Sequence, residues 1–194
     1  MEKKTLQNVV FLDRDGVINH DSSHYIKSWD EFEFLPGSLS ALRRLHANGY
    51  PVIIITNQSA VNRRIIPIEV LDEIHAKLKQ AVQRRGGKIQ DIFFCPHRPD
   101  ENCACRKPKP GLIFQATEKY RIDCSAETMV GDHPKDIECG KNAGCRYRVL
   151  VKSGIIDNAD RILADRKIYP DFIATDLAEA AGWIMDRYGD TEKS

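Results

Sequence analysis

Two carboxylates two residues apart are the first groups in the chain that can do chemistry: the run FLDRDG sets Asp13 and Asp15 ahead of Gly16. A neighbouring pair of this kind can divide labour. One stays ionised as a nucleophile or metal ligand while the other keeps a proton as an acid. Alone, the pattern also fits a plain strand-end turn, where Asp and Gly are common. A second acidic group, GDHPKD, supplies Asp132 and Asp136. It also reads as a helix start with Asp132 as the N-cap. Taken together, the two groups offer the oxygen ligands that Mg²⁺ prefers, with water and a substrate phosphate filling the remaining positions. The run TNQS, residues 56–59, adds a hydroxyl and backbone N–H donors suited to a phosphoryl oxygen, and Lys107 adds a fixed positive charge.

A different chemistry is written into residues 95–105. Cys95, His97, Cys103 and Cys105 place four zinc-type ligands within eleven residues. Two short arms joined by a small loop can wrap one tetrahedral ion, and four protein ligands leave no open position, so the Zn²⁺ they predict is structural. There is no C-x-x-C, which disfavours a redox role. Arg106 and Lys107 directly follow the last ligand. Zinc there would fix the backbone from which Arg106 and Lys107 project, and Arg106 could then reach an anionic group in bidentate fashion. Cys124, Cys139 and Cys145 lie apart and read as small buried hydrophobes.

The elements that must position these groups alternate between strand and helix. NVVFLD (8–13), PVIIIT (51–56), DIFFC (91–95), TMVGD (128–132), YRVLV (147–151) and DFIAT (171–175) read as buried strands, bounded by polar or turn residues. Helices are predicted over 38–48, from Pro67 to Gly86, and over 111–120, 135–143 and 177–188. Such alternation predicts an α/β fold, a doubly wound and mainly parallel sheet with right-handed crossovers. Open sheets of this class bind ligands beyond the carboxyl ends of their strands. Asp13, Thr56, Cys95 and Asp132 all fall at or just past such ends. Residues 152–170 are polar and carry no clear pattern.

The chain of 194 residues suits one domain, expected over 1–188 with 189–194 as a frayed tail. Its net charge of +1 argues against nucleic acid or an anionic membrane as partner. The apolar run near the start, Val9–Leu12, is too short for a signal peptide, and no window approaches a membrane span. Clustered cysteines without an export signal point to a reduced, cytoplasmic, metal-binding protein. The expectation is a monomer whose partner is a small phosphorylated metabolite.

The order FLDRDG, TNQS, RKP, GDHPKD resembles the four motifs of the haloacid dehalogenase (HAD) superfamily over residues 8–151. The resemblance implies that Asp13 attacks phosphorus and Asp15 is the general acid. It implies that Thr56 and Lys107 steady the phosphoryl group and that Asp132 holds Mg²⁺ with Asp13, Asp15 and Asp136. Only 42 residues separate Asp13 from Thr56. Residues 17–35 can form a flap but not a large cap domain, which leaves an open site. The cysteine loop and RKPKPG resemble the zinc-containing branch that holds heptose bisphosphate and histidinol-phosphate phosphatases. TNQSAVNRR favours the heptose type, acting at the 7-phosphate of a 1,7-bisphosphate. Asn57, Gln58, Ser59, Arg63, Arg106 and His133 are then the expected substrate contacts. The chain departs from that branch with Ala60 in place of a usual Gly and His133 in place of a usual Lys. A histidinol-phosphate phosphatase is the alternative within the branch. A non-catalytic, zinc-stabilised binding module is the alternative outside it.

Overall fold

Residues 5–154 and 159–189 are described by the computed structural model. The six apolar runs form β1 (Val10–Leu12), β2 (Val52–Asn57), β3 (Ile89–Cys95), β4 (Thr128–Gly131), β5 (Tyr147–Val151) and β6 (Phe172–Ala174). All pair in parallel, in the order β3-β2-β1-β4-β5-β6. The winding runs one way from β1 through β2 to β3 and the other way from β4 to β6. The topological switch point therefore falls between β1 and β4, whose ends carry Asp13 and Asp132.

The helices are α1 (Ser38–Ala47), α2 (Ile68–Arg84), α3 (Gly111–Tyr120), α4 (Pro134–Ala143), α5 (Ala159–Asp165) and α6 (Leu177–Gly189). They cover both faces of the sheet, which is why the strands show no polar alternation. Val10 and Leu12 of β1 share a core with Leu42 and Leu45 of α1, Ile74 and Leu78 of α2, and Ile184 of α6. The neighbouring Val9 and Phe11 point the other way, into a core with Leu112, Ile113 and Ala116 of α3 and Cys139 of α4. Each fully buried aliphatic side chain of this kind contributes about 1.5–3 kcal/mol. α1 stops before Gly49 and α2 before Gly86, two glycines in the left-handed region.

Two segments differ from the sequence expectation. Residues 152–170, unassigned from their polarity, contain the seven-residue α5, with Leu163 and Ile168 buried against Ile137 and Leu150. Residues 17–35 are not a free flap. They hold one 3₁₀ turn at Trp29–Glu31, and Val17, Ile18, Ile26 and Phe32 are buried in the α1 side core. Trp29, Phe32 and Phe34 pack on one another with centroids 4.9–6.2 Å apart. No large cap is built from this segment. Helix α6 runs to Gly189, and residues 190–194 lie outside the described residues.

Candidate active site

The carboxyl ends of β1, β2 and β4 converge on a cavity of about 90 Å³ lined in part by Asp13, Thr56, Asn57 and Asp132. The Asp13 N–H donates to the Val130 carbonyl at 2.9 Å, which ties the β1 end to β4. Gly16 lies at φ 77°, and a Cβ there would overlap the Asp132 carboxylate. Glycine at this position is therefore what lets the two acidic loops close on each other.

Lys107 is 2% exposed and buried against the Asp13 carboxylate. Its Nζ is 2.8 Å from Asp13 Oδ2 and 2.7 Å from Asp136 Oδ1. Asn57 fixes the lysine backbone from both sides: its Oδ1 accepts from Lys107 N at 3.1 Å and its Nδ2 donates to Lys107 O at 3.3 Å. Burial alone would depress the lysine, but attraction to Asp13 and Asp136 outweighs it and raises its pKa. Burial pushes Asp13 up to about 6, against the pull of Lys107 and with a further push from Asp136 and Asp15. Burial, with repulsion from Asp136 and Asp13, pushes Asp132 up to about 8.

Carboxylate oxygens of Asp13, Asp132 and Asp136 lie within 4.8 Å of one another, all buried. One lysine against three buried carboxylates leaves an excess negative charge. A hard divalent cation with oxygen ligands matches that donor set. Asp15 stands outside this trio, although the sequence grouped it with the Mg²⁺ ligands. Its carboxylate is turned toward Arg14, which donates from Nε at 3.0 Å and from Nη2 at 2.8 Å. Asn19 donates at 2.9 Å and Gln58 at 2.7 Å. Burial would raise the Asp15 pKa, but these partners, Arg14 first, outweigh it and lower it.

Gln58 also donates to Thr56 Oγ1 at 3.0 Å, so its amide joins Asp15 to Thr56 instead of facing outward. Ser59 is buried behind it, 6% exposed. Asp132 does not cap α4. His133 does: its Nδ1 accepts from Lys135 N at 3.0 Å, and Asp136 accepts from His133 N at 3.0 Å in a reciprocal capping box. The Asp132 carboxylate is thereby left for the cavity. Burial and the nearby Lys135 depress His133 to about 4.

In the cysteine loop the Cys95, Cys103 and Cys105 sulfurs are 3.2–3.5 Å apart, with His97 Nδ1 3.3 and 3.5 Å from Cys105 and Cys95. These are not disulfides. They approach the edges of a tetrahedron of about 3.7 Å built on metal–sulfur bonds of about 2.3 Å. The residues thus fit a closed, four-ligand ion. Arg106 is half-buried and donates from Nη1 to His97 O at 3.0 Å, so its guanidinium braces the loop. Arg63 is exposed on the turn after β2. Neither arginine is among the residues that line the cavity.

The sequence reading missed Arg14, 1% exposed, whose Nη1 is 3.3 Å from His75 Nε2 and whose guanidinium lies 5.9 Å from the Phe32 ring. It also missed Asp21, His133's neighbour Lys135 and the Asn19 amide at the site. An arginine between two aspartates carries no local sign of burial. That depends on His75 from α2 and Phe32 from the 17–35 segment.

A buried aspartate paired with a lysine at the switch point of a parallel sheet, with a second acidic pair after β4, marks a phosphoryl-transfer enzyme of the HAD type. The HAD-like hydrolase model, described as "HAD-hyrolase-like", matches residues 104–180. A D-glycero-beta-D-manno-heptose-1,7-bisphosphate 7-phosphatase of Pseudomonas aeruginosa is 44% identical over 148 residues, 76% of this chain and 83% of that protein. One from Yersinia pestis is 33% identical over 92% of this chain and 96% of its own length. The crystal structure of a D,D-heptose 1,7-bisphosphate phosphatase from B. bronchiseptica, complexed with magnesium and phosphate, superposes with a TM-score of 0.85. It is 37% identical, and the match covers 93% of this chain and 99% of that one. The chain belongs to the HAD-like hydrolases, in the family of these heptose bisphosphate phosphatases, and is a phosphoric monoester hydrolase.

Proposed function

We propose that the protein removes the 7-phosphate from D-glycero-D-manno-heptose 1,7-bisphosphate in a Mg²⁺-dependent reaction. The observation that carries this is the buried bridge Asp13–Lys107–Asp136 beside Asp132, in a chain whose relatives bear that activity in their names. An Asp13 oxygen bonds to phosphorus as the bond from phosphorus to the sugar oxygen breaks. Asp15, protonated against the pull of Arg14, Asn19 and Gln58, gives its proton to the leaving alkoxide. Asp15, now ionised, takes a proton from water as that water's oxygen attacks phosphorus, releasing inorganic phosphate and restoring the Asp13 carboxylate. Arg14, Asn19 and Gln58 favour the ionised form that this second half needs. Lys107 and the Thr56 hydroxyl hold phosphoryl oxygens, donors aimed where negative charge must be offset. Mg²⁺, held by Asp13, Asp132 and Asp136, would neutralise carboxylate charge and polarise the phosphoryl group.

Zn²⁺ on Cys95, His97, Cys103 and Cys105 is structural in this reading and keeps Lys107 in register. Arg106 and Arg63 are the residues through which a second phosphate is held, after Arg106 leaves the His97 carbonyl. The protein works as one domain over residues 1–188, as a monomer in the cytoplasm, on a small metabolite and without nucleic acid or membrane. Six unpaired cysteines and a net charge of +1 support that setting. No helix among the described residues is long and apolar enough to cross a membrane. The test is phosphate release with Mg²⁺ from the heptose bisphosphate, histidinol phosphate and fructose bisphosphate. The heptose compound is expected to lead in kcat/KM by at least about 100-fold, a gap worth about 2.7 kcal/mol, and to keep its 1-phosphate. Preference for histidinol phosphate, or loss of the 1-phosphate, would overturn the reading.

A further inference from the structure

We propose that Lys135, on the cavity lining, is a substrate-binding residue that grips the reacting phosphoryl group; this rests on the phosphatase reading above. Four carboxylates, Asp13, Asp15, Asp21 and Asp132, line the cavity, and Lys135 is the cationic side chain on its lining. A phosphomonoester dianion entering there meets like charge on several sides, so cations decide whether it stays. The other cationic side chains near the site are engaged with protein groups in this structure. Lys107 is 2% exposed, with its ammonium on Asp13 and Asp136. Arg14 is 1% exposed and spent on Asp15. Arg106 donates to the His97 carbonyl.

Lys135 is different. It is half-buried, and its Nζ makes no ion pair or hydrogen bond among the described residues. Only its backbone is engaged, through His133 Nδ1. That same bond fixes what His133 can do. With Nδ1 accepting, the ring carries its proton on Nε2 and offers a neutral donor, not a charge. A cation at this edge of the cavity must therefore come from Lys135. Its position in the first turn of α4 is unfavourable to the helix itself, because the N-terminal end of the dipole is already positive. A helix-stabilising role would put an acid there. A phosphoryl oxygen in the cavity instead finds the α4 N-terminus and the Lys135 side chain together on its lining.

The experiment compares wild type, Lys135→Met and Lys135→Arg, each loaded with Mg²⁺ and Zn²⁺. Steady-state constants are measured on 4-nitrophenyl phosphate and on heptose bisphosphate, with inorganic phosphate as competitive inhibitor. Lys135→Met is expected to raise KM and the phosphate Ki at least ~10-fold, by similar factors on both substrates, with kcat within ~3-fold. Lys135→Arg is expected to recover most of the loss, and the thermal midpoint of Lys135→Met should match or exceed wild type. A phosphate Ki within ~2-fold of wild type, or a loss confined to the bisphosphate, overturns the assignment. Calorimetric titration with inorganic phosphate reads the same contact without turnover. Absence of turnover in wild type would therefore sink the phosphatase reading, while this binding comparison would still decide the place of Lys135.

Discussion

The cysteine loop and the carboxylate–lysine cluster sit side by side at the same edge of the sheet, and they are built in opposite ways. The loop draws all four ligand atoms from Cys95 to Cys105, so one short segment defines it. The cluster draws Asp13 from the end of β1, Lys107 from the loop before α3, and Asp132 and Asp136 from β4 and α4. It exists only when the sheet is paired. Their electrostatics differ as well. Without metal, burial pushes the Cys95 thiol up and keeps its proton; a bound ion would displace that proton. Burial holds Asp13 and Asp132 at about 6 and about 8, near the pH at which an enzyme works. The loop is defined by one short segment, whereas the cluster holds carboxyl groups that titrate near neutral pH.

That contrast can be broken most severely at Asp13. Asp13→Asn keeps the side-chain volume and removes the carboxylate proposed as nucleophile. Turnover is expected to fall at least ~1000-fold while the thermal midpoint holds, read by phosphate release and thermal melting. Arg14→Met comes next. It strips a buried partner from Asp15 and is expected to cost about 3 kcal/mol of stability, read by urea titration. It should also lower kcat more than it raises KM and shift the pH profile, because Asp15 loses the pairing that favours its ionised form. A purely structural Arg14 would lower stability and leave the pH profile where it was.

On the loop side, Cys105→Ser should lose zinc, and both the thermal midpoint and kcat should fall together, the latter ~10–100-fold. Zinc content and activity are measured on one preparation. Full activity without zinc would separate the loop from Lys107.

A smaller effect separates the two regions by pH. In Mg²⁺-free buffer Asp132 at about 8 and Glu127 at about 7 lie above their unfolded values of 3.8 and 4.5. Raised carboxyl groups lose stability as pH rises through the folded value. His75 and His133, depressed to about 3 and about 4, add stability only up to about 6.5. Between about 6.5 and 8 the carboxyl groups act alone, and stability falls by at most about 1.4 kcal/mol per group and pH unit. Saturating Mg²⁺ favours ionised Asp132 and should remove its share of the decline, as seen in thermal midpoints at the two pH values. The smallest effect is expected at exposed Arg63, where Arg63→Ala should change kcat/KM on a monophosphate less than ~2-fold.

The same contrast explains what could be read from the sequence. The cluster of Cys95, His97, Cys103 and Cys105 is legible because spacing alone defines it. Asp13, Thr56, Lys107 and Asp132 are legible because each follows a strand whose apolar run is plain, and the parallel sheet brings strand ends together. What stayed hidden depends on side-chain direction. Asp15 turns from the Asp13–Asp132–Asp136 trio because Arg14, buried by His75 and Phe32, holds it. Nothing in FLDRDG announces that. Asp132 was open to reading as a cap until the His133 ring took the role. Helix α5 escaped notice because two buried positions, Leu163 and Ile168, set no helical period in a polar stretch.

The claim that the cluster makes and breaks bonds while the loop only holds it is tested most directly at the Asp13 carboxylate. The enzyme is denatured by acid during steady turnover, treated with borohydride and digested, and the peptide carrying residues 8–20 is weighed. The account predicts reduction of a phosphorylated Asp13 to homoserine, dependent on substrate and Mg²⁺, with Cys95, Cys103 and Cys105 unmodified. Turnover with an unreduced Asp13, or a phosphoryl group found on another residue, would contradict it.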